Sequence, residues 1–277
     1  MNTHLQSVRQ VKTVFFKNPF AVLPAHTELV YPTGRVTPQL LMHYKSLTQT
    51  EAALVITGPA TITPPQSRKY SLLRADQPKY MNGLRALTKI IGSNGGTPGI
   101  QLAHLGETDA NVLEQGLSDF PNRLPDFEAE KLVTAYSNAC KRTGEVGYRY
   151  IELAADQFLL LHQLIHEDHE SLVTEIFEAV VANNPEGAAL ALRLPNEGQH
   201  LEKYSRLFLE AGGDLIAYPS SPDPEQTPRF GCSPQTLMLS LGGPVPPDTA
   251  VKLLKKTLLI GLPQSMHSGK SVQASHP

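Results

Sequence analysis

Long polar side chains stand near the ends of short apolar runs in three places. Gln101 follows Gly99-Ile100, Glu152 follows Tyr150-Ile151, and Arg193 follows Ala189-Leu192. Burying such a side chain is costly unless it finds a partner. We expect Glu152 to be buried and paired within the fold. Gln101 and Arg193 likewise need a partner, and a hydrogen bond or salt bridge inside the barrel would supply one.

Glycines follow the last two apolar runs of the chain. Gly242-Gly243 comes after Leu237–Leu241, and Gly261 comes after Leu258–Ile260. The loops after the seventh and eighth strands of a barrel often hold a phosphate through backbone N–H groups. Glycine permits the close approach that such contacts need. The glycines therefore indicate either a phosphate site or two tight turns.

Several histidines have positions or spacings compatible with chemistry. His26 follows the first apolar run, where an imidazole that titrates near neutral pH could act as an acid or base, or could point to solvent. His162, His166 and His169 have the spacing i, i+4 and i+7, which suits metal ligands on one side of a helix. A solvated helix start is more common, and we assign no metal site.

The elements that must position these residues are eight short apolar runs, most of them followed by a helical pattern. They are 20–23, 52–57, 99–103, 150–153, 189–194, 214–218, 237–241 and 258–260. Near-continuous apolar strands that alternate with amphipathic helices indicate a parallel sheet covered by helices. Eight such units predict one (β/α)8 TIM barrel spanning residues 1–277. An open doubly wound sheet is the alternative, although no Gly-x-Gly-x-x-Gly follows the first strand.

Two of the eight units lack the helical pattern after the strand. Residues 219–236 are rich in proline and show no helical stripe, and residues 264–277 form a polar tail that we expect to be flexible. The sixth and eighth outer helices are therefore predicted to be reduced or missing. The apolar strand faces that this exposes favour a covering partner, for which a homodimer is the simplest hypothesis.

Composition excludes several classes of function. The 277 residues carry a net charge of −2, which favours neither a nucleic-acid nor a membrane partner. The expected partner is therefore a small-molecule substrate. The N-terminus has no apolar secretory segment, and no apolar run reaches the roughly 18 residues of a membrane helix. The cysteines, Cys140 and Cys232, have no metal or redox spacing. Free thiols in the cytoplasm are the expectation.

Four segments in chain order resemble motifs of the old yellow enzyme family, the FMN-dependent NADH:flavin oxidoreductases. The segment Gly147–Leu164 is similar to the family's Gly-Phe-Asp-Gly-Val-Glu-Ile-His pattern and the residues that follow it. Lys17–Ala25 is similar to Lys-Asn-Arg-Ile-Val-Met-Ala-Pro-Met. Ala53–Gly58 is similar to Gly-Leu-Ile-Ile-Thr-Glu, and Gln101–Glu107 to Gln-Leu-x-His-x-Gly-Arg. The resemblance weakens after Tyr218.

The resemblance implies FMN as cofactor and NAD(P)H as a reductant. It places Gln101 and Arg193 at the polar edge of the flavin's pyrimidine ring, His26 near the reactive nitrogen, and His104 near the site. The full set of cofactor-binding residues it predicts is Pro24, Ala25, His26, Thr57, Gln101, Arg193, Gly242, Gly243 and Gly261. The predicted catalytic candidates are His26, His104 and Gln157.

The family's signature chemistry is altered in this sequence. Its substrate-binding His falls on Ala154, the partner His or Asn on Gln157, and the proton-donating Tyr on Leu159. Losing these groups implies weak or altered ene-reductase activity, because each normally contributes two or more orders of magnitude. Three hypotheses follow: an FMN-binding oxidoreductase with altered substrate use, a cofactor-free barrel catalysing isomerisation or cyclisation, and a non-catalytic interaction protein.

Overall fold

A computed structural model describes residues 3–64, 71–104, 126–155, 159–195, 198–220, 233, 237–241 and 246–264. Eight parallel strands form its centre, and each coincides with a predicted apolar run. They are β3 (Phe20–Val22), β4 (Leu54–Thr61), β6 (Thr97–Ala103), β7 (Tyr150–Ala154), β8 (Ala189–Arg193), β9 (Leu215–Ser220), β10 (Leu237–Leu241) and β11 (Leu259–Leu262). The remaining strands are β1 (Arg9–Val11), β2 (Val14–Phe16) and β5 (Leu73–Arg74).

The sheet closes on itself. Its order is β3-β11-β10-β9-β8-β7-β6-β4, and β3 pairs with β4 to complete the ring, while β5 adds to the end of β4. This confirms the predicted TIM barrel and excludes the open doubly wound sheet. Functional residues of such barrels lie at the carboxyl ends of the strands.

Helices cover the outside of the barrel. They are α1 (Pro38–Thr48), α2 (Met81–Ser93), α3 (Asp126–Glu145), α4 (Leu160–His166), α5 (Glu170–Asn183), α6 (Leu201–Glu210) and α7 (Pro247–Leu253). Thr37 caps α1, because its hydroxyl accepts a 3.0 Å hydrogen bond from the Leu40 amide and Pro38 takes the first helical position. In the described part of the chain, no helix is long and apolar enough to cross a membrane.

The sixth and eighth helices were predicted to be reduced or missing, and their segments lie largely outside the described residues. This prediction and that of a homodimer therefore remain predictions. Two boundary details are visible. Strand β9 extends to Ser220, two residues into the predicted proline-rich loop. Gln264, the first residue of the predicted tail, forms side-chain hydrogen bonds described below.

Strand alternation divides the core into two layers. Residues such as Val55, Ile151 and Leu190 face the helices. Residues of the opposite parity, such as Ile56, Ala191 and Met238, fill the barrel interior. The hairpin of β1 and β2 adds buried Val11, Val14 and Phe16 to the interior cluster. Because this hairpin directly precedes β3, it closes the amino end of the barrel and leaves the carboxyl end for chemistry.

Candidate active site

A buried carboxylate organises the polar interior of the barrel. Glu152 has no exposed surface, and its two oxygens each accept a hydrogen bond. Nε2 of Gln101 donates to Oε1 at 2.8 Å, and the hydroxyl of Tyr150 donates to Oε2 at 2.8 Å. The Tyr150 hydroxyl also lies 3.8 Å from the sulfur of Met238. This arrangement confirms that Glu152 is buried and paired, and it shows the internal hydrogen bond that the sequence left open for Gln101.

Arg193 ends β8 on the same interior face. Ala189 and Ala191 belong to the interior cluster, so strand alternation turns Arg193 inward as well. It pairs in register with Ala154 and is half-buried. Burial, and then the charge and hydrogen bond of Glu152, raise the pKa of Tyr150 well above its usual range, while the positive charge of Arg193 opposes the rise. Tyr150 is therefore a neutral hydrogen-bond donor close to one anion and one cation.

Tyr150 is the member of this cluster that sequence reasoning missed. It was interpreted only as a strand residue. The available signal was its position two residues before Glu152, since residues i and i+2 of a strand share a face. Its side chain is fully buried in the barrel interior.

Hydrogen bonds hold the backbone of Leu23, the first residue after β3, at the barrel mouth. The Leu23 amide donates to the Leu262 carbonyl at 2.9 Å, and Nε2 of Gln264 donates to the Leu23 carbonyl at 3.1 Å. Oε1 of Gln264 lies 2.8 Å from Nε2 of His43 on α1. Beyond this clamp, Pro24 and Ala25 are half-buried and His26 is exposed. The predicted His26 site is thus accessible to a ligand.

Thr57 lies on the helix side of its strand. It has no exposed surface, and its hydroxyl bonds the Gly99 carbonyl at 3.1 Å and the Tyr148 hydroxyl at 3.0 Å. Its neighbour Ile56 is the residue that faces the interior. The alternation of the strand therefore argues against the predicted contact between the Thr57 side chain and a cofactor.

Gly261 lies within β11 rather than in the loop beyond it. A Cβ added at Gly261 would come 2.3 Å from Cδ2 of Leu23. A side chain at this position would require Leu23 to move, because the Leu23 side chain packs directly against the strand backbone. This buried position does not support the predicted phosphate contact at Gly261. The other two predicted phosphate residues, Gly242 and Gly243, and the catalytic candidate Gln157 lie outside the described residues.

His104 follows β6, where its carbonyl accepts a 3.0 Å hydrogen bond from the Leu160 amide at the start of α4. Burial lowers its pKa to about 4. The imidazole is therefore neutral at pH 7 and would be a weak base. This electrostatic environment suits a structural or hydrogen-bonding role better than proton abstraction.

The three spaced histidines do not converge. The rings of His162 and His166 stack with their centroids 6.0 Å apart, whereas Nε2 of His169 lies 3.0 Å from Oε2 of Glu167. Across the described ranges, no group of three or more His, Cys, Asp or Glu side chains is arranged to hold a metal ion.

Comparisons with known proteins point to one group of enzymes. The chain is 26% identical over 255 residues to an NADPH dehydrogenase of a Geobacillus species, covering 78% of this chain and 72% of that protein. It is 24% identical over 164 residues to an NADPH dehydrogenase of Bacillus subtilis, covering 56% of this chain and 47% of that protein. The chain is thus similar, at low identity, to bacterial proteins named NADPH dehydrogenase. No protein-family model matches the sequence.

Solved old yellow enzyme structures share the fold. The homologue from Zymomonas mobilis superposes with a TM-score of 0.75 at 15% identity, covering 94% of this chain and 88% of that one. A complex of 2-naphthoyl-CoA reductase gives a TM-score of 0.77 at 12% identity, covering 95% of this chain but only 50% of that one. At such identities the likeness shows the barrel alone.

The old yellow enzyme cofactor, FMN, can be tested against this chain's own residues. The interior cluster fits the polar edge of a flavin, because Gln101 and Arg193 lie on one face at the carboxyl ends of β6 and β8. A half-buried guanidinium at the mouth is well suited to negative charge on a planar ring. Across the ring of strands, Gly261 of β11 is buried, which does not suit a phosphate contact. The described residues therefore fit the flavin ring of FMN and do not account for its phosphate.

Proposed function

We propose that this chain is an FMN-binding oxidoreductase that takes reducing equivalents from NAD(P)H and passes them to a small-molecule substrate. The observation that supports this most is the interior cluster of Gln101, Glu152 and Arg193 at the carboxyl end of a closed barrel. The similarity to bacterial NADPH dehydrogenases supports the same reaction class. Bound flavin would supply hydride transfer, and the protein would supply binding and electrostatics.

In this proposal the ring edge is held by Gln101 and Arg193. The Arg193 guanidinium would favour negative charge on such a ring edge. Glu152 fixes the Gln101 amide through the 2.8 Å hydrogen bond, which pre-organises it before a ligand arrives. The exposed His26 lies on the segment that follows β3, and in this proposal it contacts the substrate.

The proposed substrate chemistry differs from that of ordinary old yellow enzymes. Ala154 at the end of β7 cannot bind a substrate oxygen through its side chain, and Leu159 before α4 cannot donate a proton. Because Ala154 and Leu159 supply neither an oxyanion contact nor a proton, reduction of activated alkenes should be slower by several orders of magnitude. Electron acceptors that need neither group, such as quinones or dyes, suit this site better.

The visible absorption spectrum of the purified full-length protein, followed by anaerobic addition of NADPH, tests the proposal. We expect a flavin band that NADPH bleaches and a quinone or dye restores, together with little turnover of activated alkenes. A colourless protein that does not take up added FMN would contradict it. If such a colourless protein turned over a substrate and lost that activity in His26→Ala, the cofactor-free barrel would replace the present proposal.

A further inference from the structure

The ring of Tyr150 occupies space that its neighbour on β6 leaves open. Tyr150 and Gly99 are register partners, and a Cβ added at Gly99 would lie 3.1 Å from Cδ1 of the tyrosine ring. The old yellow enzyme motif that this segment resembles has glycine at the position of Tyr150. The ring is therefore a feature of this chain that the family pattern does not supply, and Gly99 accommodates it.

The hydroxyl of this ring lies where it bonds the carboxylate that also holds Gln101. Oε2 of Glu152 accepts from Tyr150 and Oε1 accepts from Gln101, both at 2.8 Å. A carboxylate that is bonded through both oxygens has one orientation about its terminal torsion, whereas a carboxylate bonded through one oxygen can turn. The Tyr150 hydroxyl also partly neutralises the negative charge on Oε2, the oxygen that Gln101 does not bond.

We propose that Tyr150 is a positioning residue, which acts through Glu152 to fix the Gln101 amide that would meet a bound ring. The tyrosine does not itself touch the ligand in this account. The effect of Tyr150 on FMN binding rests on the proposed function. The connection from Tyr150 through Glu152 to Gln101 is present in the protein without ligand. The hydroxyl, rather than the bulk of the ring, performs this role.

Tyr150→Phe separates the hydroxyl from the ring, because phenylalanine fills nearly the same volume. Tyr136→Phe is the matched control. Tyr136 is also fully buried, but its hydroxyl has no hydrogen-bond partner within the described part of the chain. Both variants remove one buried hydroxyl, and only the first removes a bond to Glu152. General effects of losing a buried oxygen therefore cancel in the comparison.

The first measurement uses the protein without ligand. Thermal unfolding is recorded for Tyr150→Phe, for Gln101→Met and for the double variant. Because both side chains bond the Glu152 carboxylate, coupling through this shared group predicts melting-temperature shifts that are not additive. Additive shifts would overturn the proposal. The pair Tyr136→Phe and Gln101→Met should be additive and calibrates the assay.

The second measurement uses FMN itself. We expect Tyr150→Phe to weaken FMN binding by roughly tenfold, in line with the loss of one hydrogen bond to a charged group, and to lower the midpoint potential of the bound flavin. The potential falls because the Glu152 carboxylate, having lost the Tyr150 donor, disfavours negative charge on the ring more strongly. Tyr136→Phe should leave both quantities unchanged. Equal affinities and potentials in the two variants would overturn the proposal.

The two proposals fail in different ways. If the wild-type protein takes up no FMN, the proposed oxidoreductase function is contradicted, and the unliganded double-mutant cycle still decides whether Tyr150 positions Gln101. If FMN binds and the cycle is additive, the oxidoreductase stands and the role of Tyr150 is lost.

Discussion

Gln101 and Glu152 face each other in register on adjacent strands, and their side chains meet inside the barrel at 2.8 Å. Neither side chain is more than 5% exposed. In a protein interior such a bond is stronger than in water, and an unpaired partner is costly. The pair therefore both stabilises the barrel and fixes the orientation of the Gln101 amide.

Glu152→Gln should destabilise the protein by about 1–3 kcal/mol, since it weakens two hydrogen bonds to a buried charge. Urea unfolding at pH 7 measures this. Glu178→Gln on the exposed face of α5 is the control, which should change stability by less than about 0.5 kcal/mol. Equal stabilities of the two variants would show that the interior carboxylate contributes nothing.

His104 should make the protein sensitive to acid in a defined window. Its pKa in the folded protein is about 4, below its ordinary value of 6.5, so the unfolded chain binds the proton first as pH falls. The stability contributed by the neutral imidazole is complete above pH 6.5 and is lost as pH falls toward 4, by roughly 3 kcal/mol. Urea unfolding from pH 7 to pH 4.5 should show a shallower loss in His104→Gln than in the wild type. Parallel pH profiles would contradict the assignment.

Gly261 and Leu23 should behave as one packing unit. Gly261→Ala places a methyl group 2.3 Å from Cδ2 of Leu23, and overpacking of this kind typically costs about 1–3 kcal/mol. Leu23→Ala removes the obstructing atoms. We therefore expect the double variant to be more stable than the sum of the single effects predicts. Additive losses in thermal unfolding would show that the two residues do not share this space.

The fold was predictable because the same sequence pattern, an apolar run that specifies a strand, occurs eight times. Eight apolar runs each specify a strand, and a closed parallel barrel is the arrangement that covers all of them with helices. Glu152 was predictable for a different reason, since a carboxylate within a buried strand must have a partner. These inferences depend on local pattern and on the cost of burial alone.

Details of the site were less predictable because they depend on which way a side chain turns. Thr57 was assigned to the site from its motif, yet strand alternation turns it toward Tyr148 on the helix side. Gly261 was placed after its strand, but β11 continues through Leu262, and the size of Leu23 explains the glycine. The role of Tyr150 required knowing that its hydroxyl reaches Glu152. Such contacts follow from register and distance, which a single sequence does not contain.

Cys140 on α3 should be unreactive in the folded protein. Burial raises the pKa of its thiol to about 12 from an ordinary value of 9, so little thiolate forms at pH 8. In a Cys232→Ser background, a thiol reagent at pH 8 should label Cys140 only after urea is added. Because the unfolded thiol ionises first, stability should also fall as pH rises from 9 toward 12. Rapid labelling without denaturant would contradict this burial.

Titration of FMN into the full-length protein, followed by quenching of flavin fluorescence, tests the central claim most directly. The wild type should bind FMN stoichiometrically, and Arg193→Met should weaken binding by at least about tenfold, as expected for loss of a charged hydrogen-bonding group. Arg206→Met on the exposed face of α6 is the matched control and should bind as the wild type does. Absence of quenching in the wild type, or equal affinity in Arg193→Met and Arg206→Met, would contradict a flavin site at the mouth of this barrel.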